Sequence, residues 1–121
     1  ALIYIDVQYV KKKHYLSMVY WINMMLIVVI ELSKRSNYLI NNKQECIKAI
    51  DLALSGKWDE AHTIVQEINT DFAMWIHAVL HKIEGDKSNS RYWYNRSGLN
   101  TYESYKNPDQ ELLVIKEDLF L

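Results

Sequence analysis

Leu54-Ser55-Gly56-Lys57-Trp58-Asp59-Glu60-Ala61 and Glu84-Gly85-Asp86-Lys87-Ser88-Asn89-Ser90 are two versions of one phrase, and the fold follows from how they are read. In each, an apolar-periodic run stops at a glycine and a polar, acid-bearing run starts at once. Glycine takes the left-handed conformation that closes a helix, so Gly56 and Gly85 read as helix ends. They are 29 residues apart, with an amphipathic helix on either side of each. The phrase reads as one joint used twice, and two antiparallel helices joined in this way bury their apolar stripes against each other.

Working outward from the joints gives the other elements. Gln44–Leu54 carries Ile47, Ile50 and Leu54 at spacings of three and four, with Cys46, Ala49 and Ala53 beside them. A second helix is expected from Lys57 to Ile68, with Trp58, Ala61, Val65 and Ile68 as its stripe and Asp59 and Glu60 in its first turn, where the helix dipole favours acids. Asn69-Thr70-Asp71 supplies an N-cap for a third helix, Phe72–Glu84, with Phe72, Ile76, Val79, Leu80 and Ile83 inward and Trp75 at the edge. Asp86 caps a fourth helix that ends at Gly98, with Trp93 expected in the core and Tyr92 and Tyr94 on either side of it. Leu99–Asn107 reads as a loop. Asn107-Pro108 then opens a last helix, proline being favoured at the first position, with Leu112, Leu113, Ile115, Leu119 and Phe120 on its apolar side.

Upstream the composition changes. Ala1–Val10 alternates loosely and fits a short strand or a helix. Tyr15–Ile30 has no charge, with Lys11-Lys12-Lys13 before it and Lys34 and Arg35 after it. As a helix this run is about 24 Å long, against a hydrocarbon core of about 30 Å. It reads as a buried or docking helix, which would also serve homo-oligomerisation, or alternatively as a membrane anchor. No small-residue cleavage site follows it, which argues against a cleaved signal peptide. Ser33–Asn42 is polar, and a linker is expected near Asn41–Lys43. The expected domains are residues 1–40, a hydrophobic N-terminal segment, and residues 41–121, a helical-hairpin domain. The chain starts at Ala1, so it reads as a fragment or a processed form. Met18, Met24 and Met25 are alternative starts, with the residues before them an upstream extension.

Composition sets limits. The chain has 121 residues, half of them hydrophobic, and a net charge of −1. No broad basic face supports nucleic-acid binding, and Arg91-Tyr92-Trp93-Tyr94-Asn95-Arg96 scatters its cations and aromatics round a helix. A lone cysteine, Cys46, closes no internal disulfide. All three glycines fall at helix ends, leaving none for a phosphate-cradling loop. The fold class expected is all-α: antiparallel helical hairpins stacked in a tetratricopeptide-like manner, preceded by a hydrophobic N-terminal helix.

A further set of phrases is Gly56-Lys57-Trp58-Asp59-Glu60-Ala61-His62 with Ile64-Val65-Gln66, Trp75-Ile76-His77-Ala78 with Leu80-His81, Glu84-Gly85-Asp86, Asn89, and Tyr92-Trp93-Tyr94 with Arg96 and Gly98. In these, residues 45 to 98 resemble a family of small all-helical microbial proteins of unknown function. The resemblance implies an all-helical fold and no particular activity. The Leu54–Ala61 phrase also resembles the turn of a tetratricopeptide-type hairpin.

The chemistry-bearing residues cluster on these helices. His77 and His81 are four apart, on one side of the third helix, with Glu84 three further on and His62 on the helix before. Two histidines at that spacing chelate zinc when a third ligand completes the set. The leading expectation is a protein- or peptide-binding module, in the cytoplasm, with a groove lined by His62, Gln66, His77, His81, Tyr92 and Arg96. The alternatives are a metal- or small-ligand-binding protein or minor enzyme using His62, His77 and His81, and a membrane-anchored accessory protein. No resident cofactor is expected and no catalytic set stands out. Cys46 sits on an apolar helix face, and Glu60 with His62 or Glu84 with His81 are pairings common on helices.

Overall fold

The computed structural model describes residues 6–121, and Ala1–Ile5 lie outside it, with half of the Ala1–Val10 run. The described chain is helical: α1 Val7–Leu54, α2 Trp58–Val65, α3 Asp71–Glu84, α4 Lys87–Ser97 and α5 Pro108–Phe120, with no strand among the described residues. It divides into two units, one ending at Leu39 and one from Ile40 to Leu121.

The long first helix corrects the expected linker. Asp6 starts it, its carboxylate accepting from the backbone N–H groups of Gln8 and Tyr9 at 2.9 and 3.1 Å. Nothing then interrupts the helix, because no glycine or proline occurs before Gly56. Asn41–Lys43 is helical, and Asn42 is buried. A polar composition was thus no sign of a break. Up to Leu39, α1 buries none of its described residues. From Asn42 onward it contributes Cys46, Ala49 and Ile50 to the core of the second unit.

The joints have the geometry that the repeated phrase implies. At the first, Gly56 has φ +77°, its N–H donates to Ala53 O at 3.0 Å, and Lys57 N–H donates to Leu52 O at 2.9 Å. At the second, Gly85 has φ +88°, its N–H donates to Lys82 O at 3.2 Å, and Asp86 N–H donates to His81 O at 3.0 Å. Both are the nested pair of bonds that closes a helix on a left-handed glycine. Asp86 then caps α4 by accepting from Asn89 N–H at 3.1 Å, so α3 turns into α4 within two residues.

Helix α3 is the centre of the second unit and packs against α2, α4 and α5. Eight of its residues are buried, including the unbroken run Trp75–His81. Ser90 ties α4 to it by donating to Ala78 O at 2.7 Å, and Asp51 near the end of α1 holds Lys116 of α5 at 2.6 Å. Under α3 lies a buried polar knot. Glu111 is fully buried and accepts from Trp75 Nε1 (2.8 Å), Tyr94 OH (2.6 Å) and Lys82 Nζ (2.8 Å). Lys82 also donates to Tyr105 O at 3.0 Å. This knot changes two expectations: Trp75 is buried and not at an edge, and Tyr94 fills the core where Trp93 was expected. Ile83, expected inward, is exposed. Leu113 and Phe120 of α5 likewise face solvent, while Leu112, Ile115 and Leu119 are buried.

Candidate functional site: a three-histidine cluster

Residues four apart on a helix lie one above the other, so α3 presents His77 and His81 as neighbours. Their rings stack with centroids 4.9 Å apart. Helix α2 brings His62 across to them. Its Nε2 lies 2.9 Å from His77 Nε2, and its ring is 5.3 Å from that of His81. One ligand nitrogen from each of the three histidines falls within 4.8 Å of the other two. His77 and His81 are buried, and His62 is half-buried at the mouth.

The rings are held from outside. Trp58 stacks on His62 at 4.7 Å and meets His81 edge-on at 5.8 Å. Its own indole N–H is anchored to Leu80 O at 2.7 Å. Trp93 of α4 stacks on His77 at 3.9 Å, the closest ring pair in the cluster. Glu84 Oε2 takes His81 Nδ1 at 2.9 Å, which leaves Nε2 of His81 as its free nitrogen. A carboxylate on one ring nitrogen fixes the tautomer and the orientation of the ring. A second grouping of His81, Glu84 and Asp86 shares that same histidine, but Asp86 is engaged as the cap of α4.

The electrostatics favour neutral rings at His77 and His62. Burial holds His77 down to about 3, and the nearby His62 and His81 add to the effect. His62 is lowered too, by burial first and then by His81, against an opposing pull from Glu84 and Asp59. Two neutral imidazoles 2.9 Å apart share one N–H···N hydrogen bond. They are also in the state that ligates a metal. Two ligands at 2.0–2.1 Å from a tetrahedral ion stand about 3.3 Å apart, so the His62–His77 pair would open by a few tenths of an ångström to admit one, and the His81 nitrogen, within 4.8 Å of them, would draw in to complete the set.

The other groove residues separate from this cluster. Gln66 and Arg96 line an adjoining pocket of about 360 Å³ with His77 and Trp93. The Arg96 guanidinium lies 5.8 Å from both the Trp93 and the Tyr92 ring centroids. Tyr92 is exposed and touches the site only through Trp93. Of the three histidines, His77 alone also lines that pocket, with Trp93 stacked on it. Cys46 has no part in either, and burial pushes its thiol up to about 11, which leaves it unreactive. Glu84, three residues after His81, makes the contact that helical spacing allows. Two contributors, Trp58 and Trp93, are absent from the expected site residues; Trp58 is four residues before His62, so its contact also follows from helical spacing. The stacking of Trp93 depends on how α4 folds back, and no local pattern carries it. Comparison with known protein families, curated proteins and solved structures finds no match to this chain.

Proposed function

We propose that the Ile40–Leu121 unit binds a single divalent transition-metal ion through His62, His77 and His81. The observation that carries this reading is the convergence of three ring nitrogens from two helices, with Glu84 behind one of them. Three imidazoles suit zinc, copper, nickel or cobalt rather than magnesium or calcium. Three protein ligands also leave a fourth position open for water or a ligand atom. The indole clamps hold the rings in place before the ion arrives, which lowers the ordering cost of binding.

The test is calorimetric titration of the chelator-treated chain with zinc chloride. One ion per chain is expected. His77→Ala and His81→Ala should each abolish it, and His14→Ala, which changes the remaining histidine, should not. At a free concentration a hundred times Kd, the ion would stabilise the fold by about 2.7 kcal/mol and raise Tm by several degrees. Saturation absent at millimolar zinc, together with an unmoved Tm, would end the reading.

A second reading has its own support in the pocket beside the cluster. Gln66, Trp93, Arg96 and His77 offer an amide, an indole face and a cation to one space, which suits an acidic peptide side chain or terminus. In this reading the hairpins serve as a tetratricopeptide-like binding surface. Arg96→Ala would then weaken partner binding and leave zinc affinity unchanged. Neither reading depends on α1 before Leu39, whose apolar surface calls for a partner of its own.

A further inference from the structure

Among the described residues of the first unit none is buried, so no core there explains its composition. Between Lys13 and Lys34 lie residues 14–33, and the only formal charge among them is Glu31. Met24, Met25, Leu26, Ile27, Val28, Val29 and Ile30 are consecutive, and every one is exposed. At 100° per residue, seven consecutive positions pass right round the helix, so the apolar surface is a full sleeve and not a stripe. A docked helix or a second copy would cover one side of such a sleeve and leave the rest in water. A surface-lying helix would need a polar face, and Tyr15–Ile30 has none.

We propose that residues 14–33 of α1 cross a lipid bilayer. At 1.5 Å per residue they reach about 30 Å, the thickness of the hydrocarbon core. The helix satisfies its own backbone hydrogen bonds, as a bilayer requires. Lys11, Lys12 and Lys13 stand at one end, and Lys34 and Arg35 at the other, with stems long enough to carry their charges to the headgroups. Glu31, the single acid, is paired with Lys34 one turn on at 3.0 Å, so it meets the interface as half of an ion pair. Tyr15 and Tyr38 put aromatic side chains near the two boundaries. Met24 and Asn23 fall at the midpoint, and Asn23 is the one amide this deep in the span.

The full chain, reconstituted into vesicles of phosphatidylcholine and phosphatidylglycerol, tests this. The wild type should remain with the vesicles through 1 M salt and alkaline carbonate. Leu26→Arg, which sets a charge near the midplane at an exposed residue, should cut the retained fraction at least tenfold. Trp21 gives an independent readout. Lipids brominated in mid-chain should quench part of the indole emission, and Trp21→Phe should remove that part. Release of the wild type by salt would show surface attachment by the lysines and overturn the proposal. So would a wild type that leaves the vesicles in carbonate, or equal retention of Leu26→Arg. A soluble, lipid-free oligomer with Trp21 inaccessible to brominated lipid would assign the sleeve to protein contacts instead.

Discussion

His77 concentrates the chemistry of the second unit, since it touches His62, His81 and Trp93 and also lines the adjoining pocket. Its ionisation has a consequence for stability. The ordinary value is 6.5, and burial holds the folded protein's His77 to about 3. Between those values the unfolded chain takes up a proton that the folded chain refuses, so stability rises with pH. The contribution is complete above pH 6.5 and is lost progressively as pH falls toward 3. By pH 5 the loss amounts to about 2 kcal/mol, at 1.36 kcal/mol per unit below 6.5. Urea unfolding of the metal-free chain at pH 7 and pH 5 reads this directly. The loss in wild type should shrink by about that much in His77→Gln, and an equal loss in both would assign the acid sensitivity elsewhere. Glu84 carries a separate expectation at this scale. Glu84→Gln keeps the shape but weakens the hold on His81 Nδ1, and a change of this kind costs about 10- to 100-fold in metal affinity. Zinc titration of that variant should show the same stoichiometry with the weaker constant.

The helices and their joints are the next scale up, and here the joints are the local part of the design. A left-handed glycine followed by a capping acid is written in adjacent residues, so both the stop of α3 and the start of α4 can be read from Glu84-Gly85-Asp86. The burial of α3 cannot. Its apolar residues suggest one inward stripe, but three helices pack around it and cover His77 and His81 as well. The exchange of Trp93 for Tyr94 in the core has a similar origin. They are neighbours in sequence, and the choice falls to Glu111, seventeen residues beyond Tyr94, which accepts from its hydroxyl. Glu111 lies in the first turn of α5, where an acid suits the helix dipole whether or not it is buried, so its position alone does not reveal its role. Two measurements follow. A Cβ at Gly56 or Gly85 would meet nothing within 4 Å, so Gly56→Ala and Gly85→Ala should each cost only the left-handed backbone strain, about 1–2 kcal/mol. Similar losses in Tm for the two variants would show that the joints are energetically alike. Glu111→Ala should cost more, about 3–5 kcal/mol, because it strands buried Lys82 and leaves the Trp75 and Tyr94 donors unpaired. Glu111→Gln keeps an acceptor for those two donors and should cost less than Glu111→Ala in the same denaturation experiment.

For the molecule as a whole, the question is where the second unit begins, because α1 passes from one unit to the other without a break. The polar stretch before Lys43 suggested a linker, since sequence reading takes a rise in asparagine as a boundary. The backbone there is helical, and the change lies instead in what the side chains face. Up to Leu39 none of the described side chains is buried, whereas Asn42, Cys46, Ala49 and Ile50 are. The last three turns of α1 are therefore as much a part of the core as α5. Ala49 and Ile50 are fully buried, and Asp51 anchors Lys116. A chain starting at Ile40 should unfold in a single cooperative transition, with near-UV circular dichroism and zinc stoichiometry equal to those of the full chain. A chain starting at Ser55 keeps all three histidines and both tryptophan clamps but loses Cys46, Ala49 and Ile50. Removing one buried isoleucine side chain costs about 2–5 kcal/mol, and the truncation removes the backbone around it as well. That is a large share of the 5–15 kcal/mol that holds a domain of this kind together. The Ser55 chain should therefore lack a cooperative transition and bind zinc only weakly, although every ligand is present. If it bound zinc as tightly as the Ile40 chain, the α2–α3 hairpin alone would be the metal site, and the end of α1 would serve only to connect the two units.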